Sequence, residues 1–152
     1  MADPRIKDLS IKDFDANLNY NRETIRVIQR GLIQYNAAKR SDPTAAPVTL
    51  AIMSEQNEVI GGLLGRTAYG WLRIDTIWVH ESIRGRGYGS DLLDNAEQIA
   101  MDRGCHSVHL DTHGFQSPDF YTAHGYEVFG ELARYPDEDH HYSFQKLLTN
   151  PV

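Results

Sequence analysis

Arg84-Gly85-Arg86-Gly87-Tyr88-Gly89 lies between an apolar, strand-like run, Ile74 to Val79, and a helix-like run, Ser90 to Arg103. Its glycines open backbone conformations closed to other residues and let a ligand approach closely. Amide N–H groups then point out of the turn, and the helix that follows adds the positive end of its dipole. The product is a seat for a pyrophosphate, with Arg84 and Arg86 able to add charge at its rim. The plainer alternative is an exposed basic turn between a strand and a helix.

Two familiar phosphate loops do not fit. A Walker loop ends in Gly-Lys-Ser/Thr, whereas this one ends Tyr88-Gly89-Ser90 without lysine. The dinucleotide fingerprint spaces its glycines G-x-G-x-x-G at the opening of a βαβ unit. Here Gly85, Gly87 and Gly89 run G-x-G-x-G.

The chain of 152 residues suits a single domain with a sizeable core, and residues 1–152 are read as one domain. Hydrophobic residues make up 41% and charged residues 24%, ordinary for a soluble globular protein. The single cysteine, Cys105, excludes an intramolecular disulfide and leans toward a reducing, cytoplasmic setting. No 18-residue apolar run suggests a membrane span, and Met1 to Asp13 lacks the apolar core of a signal peptide. The net charge of −6 argues against broad nucleic-acid binding and tolerates a cationic or amine substrate.

Ile25, Ile28, Leu32 and Tyr35 recur at helical spacing, so Asn21 to Lys39 reads as an amphipathic helix. Ser41 to Pro47 is a loop. Val48 to Ser54, Val59 to Thr67 and Trp71 to His80 read as an antiparallel meander. Gly61, Gly62 and Gly65 inside the second strand suggest a bend or a close backbone approach. Leu92, Leu93, Ala96, Ile99 and Ala100 then form one face of a helix ending at Gly104. Ser107 to Thr112 is a strand, so strand–helix–strand makes one parallel crossover. Pro118 starts a short helix, Asp119 to Ala123, stopped by Gly125. Tyr126 to Arg134 and Tyr142 to Leu148 close the chain as strands. The fold class is α/β with a mixed sheet, an antiparallel meander first and one parallel crossover after it.

This order, with the loop's Arg-x-x-Gly-x-Gly, resembles the GNAT superfamily of acyl-CoA-dependent N-acetyltransferases. Val79 stands five residues before Arg84, as a strand valine does in that family. Phe120-Tyr121-x-x-x-Gly125-Tyr126 is similar to its second motif, and Gly104-Cys105 closes the helix in the same register. Leu110-Asp111-Thr112 followed by Phe115-Gln116-x-Pro118-x-Phe120-Tyr121 resembles a group of small, stand-alone bacterial members. The resemblance runs from about Val48 to Leu148.

The resemblance implies acetyl-CoA as co-substrate, without a metal. The pantetheine arm would pair with backbone groups of Ile77, Trp78 and Val79. The amides of Arg84, Gly85, Arg86, Gly87, Tyr88 and Gly89, with Ser90 at the helix start, would bind the pyrophosphate. Backbone N–H groups of the strand would stabilise the oxyanion that develops on attack. Where many members carry an asparagine against the pantetheine, this chain has His113-Gly114-Phe115-Gln116-Ser117, and Gln116 or Ser117 stands in its place.

Acetyl transfer to an amine needs a deprotonated amine, a polarised carbonyl and a proton for the departing thiolate. Tyr121 matches the position of the family's general acid; the alternative is an aromatic packed beside Phe120. For the base, Asp75 ranks first: an unpaired carboxylate inside Leu72 to Val79 would be costly to bury, so such a residue is often functional or paired. Alternation puts it on the nominal face of Ile77 and Val79, barring a bulge. Asp111 ranks second and Glu81 third, the last read as a solvated loop residue. A water relay without a direct base competes with all of them.

The histidines do not form a metal site in this reading: His106 and His109 point to opposite faces of a strand, and His140-His141 has no spaced partner. Cys105 reads as a small buried hydrophobe. Trp71, Trp78 and Tyr69 either pack in the core or line an acceptor pocket. The expected activity is acetyl transfer to the amine of a small molecule or peptide. A non-catalytic acyl-CoA-binding or sensor module is the alternative, and an RNA-contacting interaction domain a distant third. A homodimer stays open as a partner.

Overall fold

A computed structural model describes residues 21–148. The chain divides into two compact units, Met1–Ser41 and Asp42–Val152. The described part of the first is one helix, α1 (Arg22–Lys39). The Asn21 side chain starts it by accepting from the Thr24 amide at 3.0 Å, and the Arg40 amide closes it on the Asn36 carbonyl. Lys39 lies over the Tyr35 ring, 5.7 Å from its centre.

In the second unit β1 (Ala46–Met53), β2 (Val59–Ala68) and β3 (Trp71–Val79) form the expected meander. Then come α2 (Tyr88–Asp102), β4 (Ser107–His113), the short α3 (Pro118–Ala123), β5 (Glu127–Ala133) and β6 (His140–Leu147). The sheet order is β1-β2-β3-β4-β6-β5. Among the described strands only β3 and β4 run parallel, joined by α2 as the crossover. Among the described residues, the 3₁₀ turns Glu81–Ile83 and Gly114–Gln116 lie outside the periodic patterns of the sequence.

The apolar face of α2 supplies Leu92, Leu93, Ala96 and Ala100 to the core, against Val48, Leu63, Leu72, Val108, Leu110 and Phe144. Each fully buried leucine stabilises the fold by about 2 kcal/mol relative to exposure. Gly104, at φ +81°, ends the helix; its amide and that of Cys105 bond back to the carbonyls of Met101 and Ala100. Cys105 is fully buried, and burial pushes its thiol pKa up, as befits a packing residue.

One polar group shares that face. Glu97 accepts from Lys146 Nζ at 2.8 Å and 3.0 Å and from the Tyr126 hydroxyl at 2.8 Å. This cluster ties α2 to β6 and to the residue before β5. Removing one partner leaves a nearly buried charge without compensation. Lys146→Met is therefore expected to lower unfolding free energy by about 2 kcal/mol, below the full cost of breaking a buried pair because Lys146 is partly exposed. Glu97→Leu and Tyr126→Phe added to it, which leave no buried polar group orphaned, should recover most of that loss, a result urea unfolding will read.

The phase of β3 changes at Asp75. Leu64 pairs with Thr76 and Gly65 with Ile74, so Asp75 is the extra residue of a β-bulge. Before the bulge Leu72 and Ile74 enter the core; after it Ile77 and Val79 do. Gly65 is required here: a Cβ would stand 2.4 Å from the Arg73 carbonyl oxygen.

Candidate active site

The glycine loop runs from the end of β3 to the start of α2. Gly85 and Gly87 take left-handed φ values of +72° and +88°, and Gly87 is the N-cap of α2. A Cβ on either would meet nothing within 4 Å, so the space above them is open. Gly89 is different, since its Cβ would press on the Phe120 ring at 3.2 Å. The first backbone bond into the helix is Asp91 N–H to the Gly87 carbonyl. Among the described residues, the amides of Gly85, Arg86, Gly87, Tyr88, Gly89 and Ser90 have no acceptor. A row of unpaired donors at a helix start, beside an open space, fits an anion the size of a pyrophosphate.

The two arginines differ. Arg84 Nε donates to the Val79 carbonyl at 3.0 Å, fastening the loop to the strand end. Arg86 makes no such contact among the described residues and is exposed. Replacing both by alanine should weaken CoA binding only about tenfold, because the amides stay. Titration calorimetry checks this, and a loss exceeding that of a glycine substitution would reverse the assigned roles.

Beyond the loop the sheet opens. β3 and β4 pair only over Trp71–Ile74 and Ser107–Leu110, then part. A cleft of about 240 Å³ occupies the gap, lined by Ile74, Asp75, Thr76, Ile77, Leu110, Asp111, Thr112, Gln116 and Tyr121. The backbone of Ile77, Trp78 and Val79 therefore has no strand partner on the β4 side. Gln116 reaches the cleft, with its carbonyl oxygen accepting from the His113 amide at 3.0 Å. Ser117 lies outside the lining and takes a left-handed φ of +62°.

Tyr121 sits on α3, edge-on to Phe120 and Tyr126 and tilted on Phe144. Its hydroxyl has no hydrogen-bond partner among the described residues. Burial pushes its pKa above the ordinary tyrosine value, which keeps it protonated. The ring packs among aromatics, and Tyr121 also lines the cleft.

Residues 9–126 match the acetyltransferase (GNAT) family. The chain is a member of that family. An acetyltransferase of Agrobacterium fabrum is 34% identical over 110 residues, covering 72% of this chain and 80% of its own length. The blasticidin-S acetyltransferase of Streptomyces morookaense is 39% identical over 83 residues, 54% of this chain and 61% of that protein. A crystal structure of a Bacillus cereus acetyltransferase superposes with a TM-score of 0.73 at 36% identity, over 86% of this chain and 95% of that one.

In this GNAT acetyltransferase the expected face of Asp75 needs correction. Asp75 does not share the face of Ile77 and Val79, because the bulge falls on it. It is paired, one of the two outcomes expected of it, and exposed rather than buried: Arg73 Nε donates to its Oδ1 at 2.7 Å, and both side chains are about half exposed. Such a pair contributes under about 1 kcal/mol. Asp111 lines the cleft and accepts from the Ser143 hydroxyl at 2.7 Å. Glu81 is exposed in the 3₁₀ turn.

His124 was not legible as part of the site. Its Nδ1 faces the Phe120 carbonyl at 2.7 Å, which can only accept. In the neutral ring Nε2 must then accept, and Ser90 Oγ donates to it at 2.8 Å. The Ser90 hydroxyl thereby joins the loop helix to α3, leaving its backbone N–H for an anion.

Among the described residues, no three His, Cys, Asp or Glu side chains are grouped to hold a metal. The face argument for His106 and His109 fails in detail: His106 precedes β4, and both rings meet the Trp71 ring edge-on at 5.6 Å. His113 stacks on Phe115 and Tyr135 at 4.9 Å and 5.3 Å. No described helix is long and apolar enough to cross a membrane.

Proposed function

We propose that this GNAT acetyltransferase moves an acetyl group from acetyl-CoA directly to the amine of a small molecule or peptide. The observation that carries the reading is the row of unpaired amides from Gly85 to Ser90, leading along the free edge of β3 into a cleft bordered by Tyr121. Loop amides hold the pyrophosphate, and the backbone of Ile77, Trp78 and Val79 holds the pantetheine. Gln116 takes the place of the family asparagine. Bound there, acetyl-CoA supplies an activated acyl carbon and a thiolate leaving group.

The chain's own residues then manage protons. Tyr121 gives its hydroxyl proton to the departing sulfur and regains one from solvent. Asp75, solvated and paired with Arg73, orients or accepts from the amine directly or through water, with Asp111 as the second carboxylate. The family match spans residues 9–126, across both compact units, which supports reading the chain as one domain.

Thermal melting with CoA tests the first part. Saturation at about 100 times Kd stabilises by about 2.7 kcal/mol, several degrees for a chain of this size. No shift with millimolar CoA, together with no calorimetric heat, would sink the reading. Stabilisation without thiol release across an amine panel would leave an acyl-CoA-binding module.

A further inference from the structure

A second cavity, of about 570 Å³, opens on the sheet face opposite α2. Leu72, Ile74, Val108 and Leu110 point into the core, so the residues between them, Arg73 and His109, point the other way. Arg66, Tyr69, Trp71 and Asp75 complete the lining. Asp75 also borders the β3–β4 cleft, so the two spaces meet at one residue.

Two of its cationic groups face each other. Arg66 and Arg73 are register partners on β2 and β3, so two guanidinium groups leave adjacent points of one face. Like charges directly opposite each other are destabilising. Asp75 answers Arg73, but Arg66 has no hydrogen-bond or ion-pair partner among the described residues. Burial, then the charge of Arg73, push the His109 pKa below its ordinary value; Asp111 and Asp75 oppose this only in part. The ring is therefore neutral at pH 7, and the Arg66 guanidinium is left without an anionic partner among the described residues. Trp71, carrying His109 edge-on at 5.6 Å, and Tyr69 add aromatic wall.

We propose that this cavity seats the acceptor, and that the acceptor is an amine bearing a carboxylate: the carboxylate on Arg66, the body against Trp71 and Tyr69, the amine at Asp75 beside the cleft. This names a substrate class for the acetyl transfer proposed above and rests on it. One unpaired guanidinium suits a monoanion better than a phosphate dianion, and its fork suits a carboxylate's two oxygens.

Phenylalanine and phenylalaninamide, titrated calorimetrically into the full chain with and without CoA, test it. The acid should bind at least about tenfold tighter than the amide. Arg66→Gln should erase that preference, and Arg66→Lys should restore part of it. Equal or tighter binding of the amide, a preference unchanged in Arg66→Gln, or no heat with either compound at millimolar concentration would overturn the proposal. The phosphonate counterpart of phenylalanine is a further arm, and tighter binding of it would overturn the carboxylate assignment. CoA heat in the same samples separates the two readings. CoA binding without acid preference sinks this one alone; acid preference without CoA binding sinks the acetyl-transfer reading and leaves an anion seat.

Discussion

Gly87→Glu is expected to abolish CoA binding while leaving the sheet folded. Gly87 stands at φ +88° as the N-cap of α2, and nothing lies within 4 Å of the position a Cβ would take. The new side chain would occupy the space the unpaired amides face. A carboxylate about 4 Å from a phosphate charge costs about 4 kcal/mol at an effective dielectric near 20. That alone is about a thousandfold in Kd. The left-handed backbone adds roughly 1–2 kcal/mol of local strain. Calorimetry on a variant with wild-type circular dichroism gives the answer. Retention of wild-type affinity would remove the loop from the cofactor site.

Tyr121→Phe should lower turnover by roughly a hundredfold, the size of a typical general-acid contribution. The ring keeps its contacts with Phe120, Tyr126 and Phe144, so packing is preserved. The hydroxyl has no partner to orphan, so stability should change little. CoA affinity should also hold, because the lost interaction matters mainly in the transition state. Burial raises the Tyr121 pKa, and the acid form is the active one. The rate should therefore not fall through loss of this acid until pH passes the ordinary tyrosine value of about 10. Steady-state rates with a verified acceptor, under conditions where chemistry is limiting, decide it. Unchanged turnover would return Tyr121 to packing alone.

Much of the fold was written in local chemistry. The apolar period of Leu92, Leu93, Ala96 and Ala100, with Gly104 behind it, defines α2 and its stop. The short strands bounded by turn residues define the meander, and strand–helix–strand requires one parallel pair. The loop was legible because glycine carries its conformational freedom in any context. Gly85 and Gly87 use that freedom, whereas Gly89 is small because Phe120 lies against it.

What escaped the sequence depended on register. Alternation extrapolates a strand's phase, and a single bulged residue reverses it. Asp75 is that residue, so its face, its solvent exposure and its Arg73 partner followed from pairing with β2. The Glu97–Tyr126–Lys146 cluster and the Ser90–His124 link join residues 29 to 49 and 34 positions apart, distances no local period can encode. Composition, periodicity and glycine placement by themselves determined the elements, their order and the phosphate-type loop. Only the tertiary structure decided which charges face each other across β2, β3 and β4, because strand pairing, not sequence spacing, brings Arg66, Arg73, Asp75 and His109 to one wall.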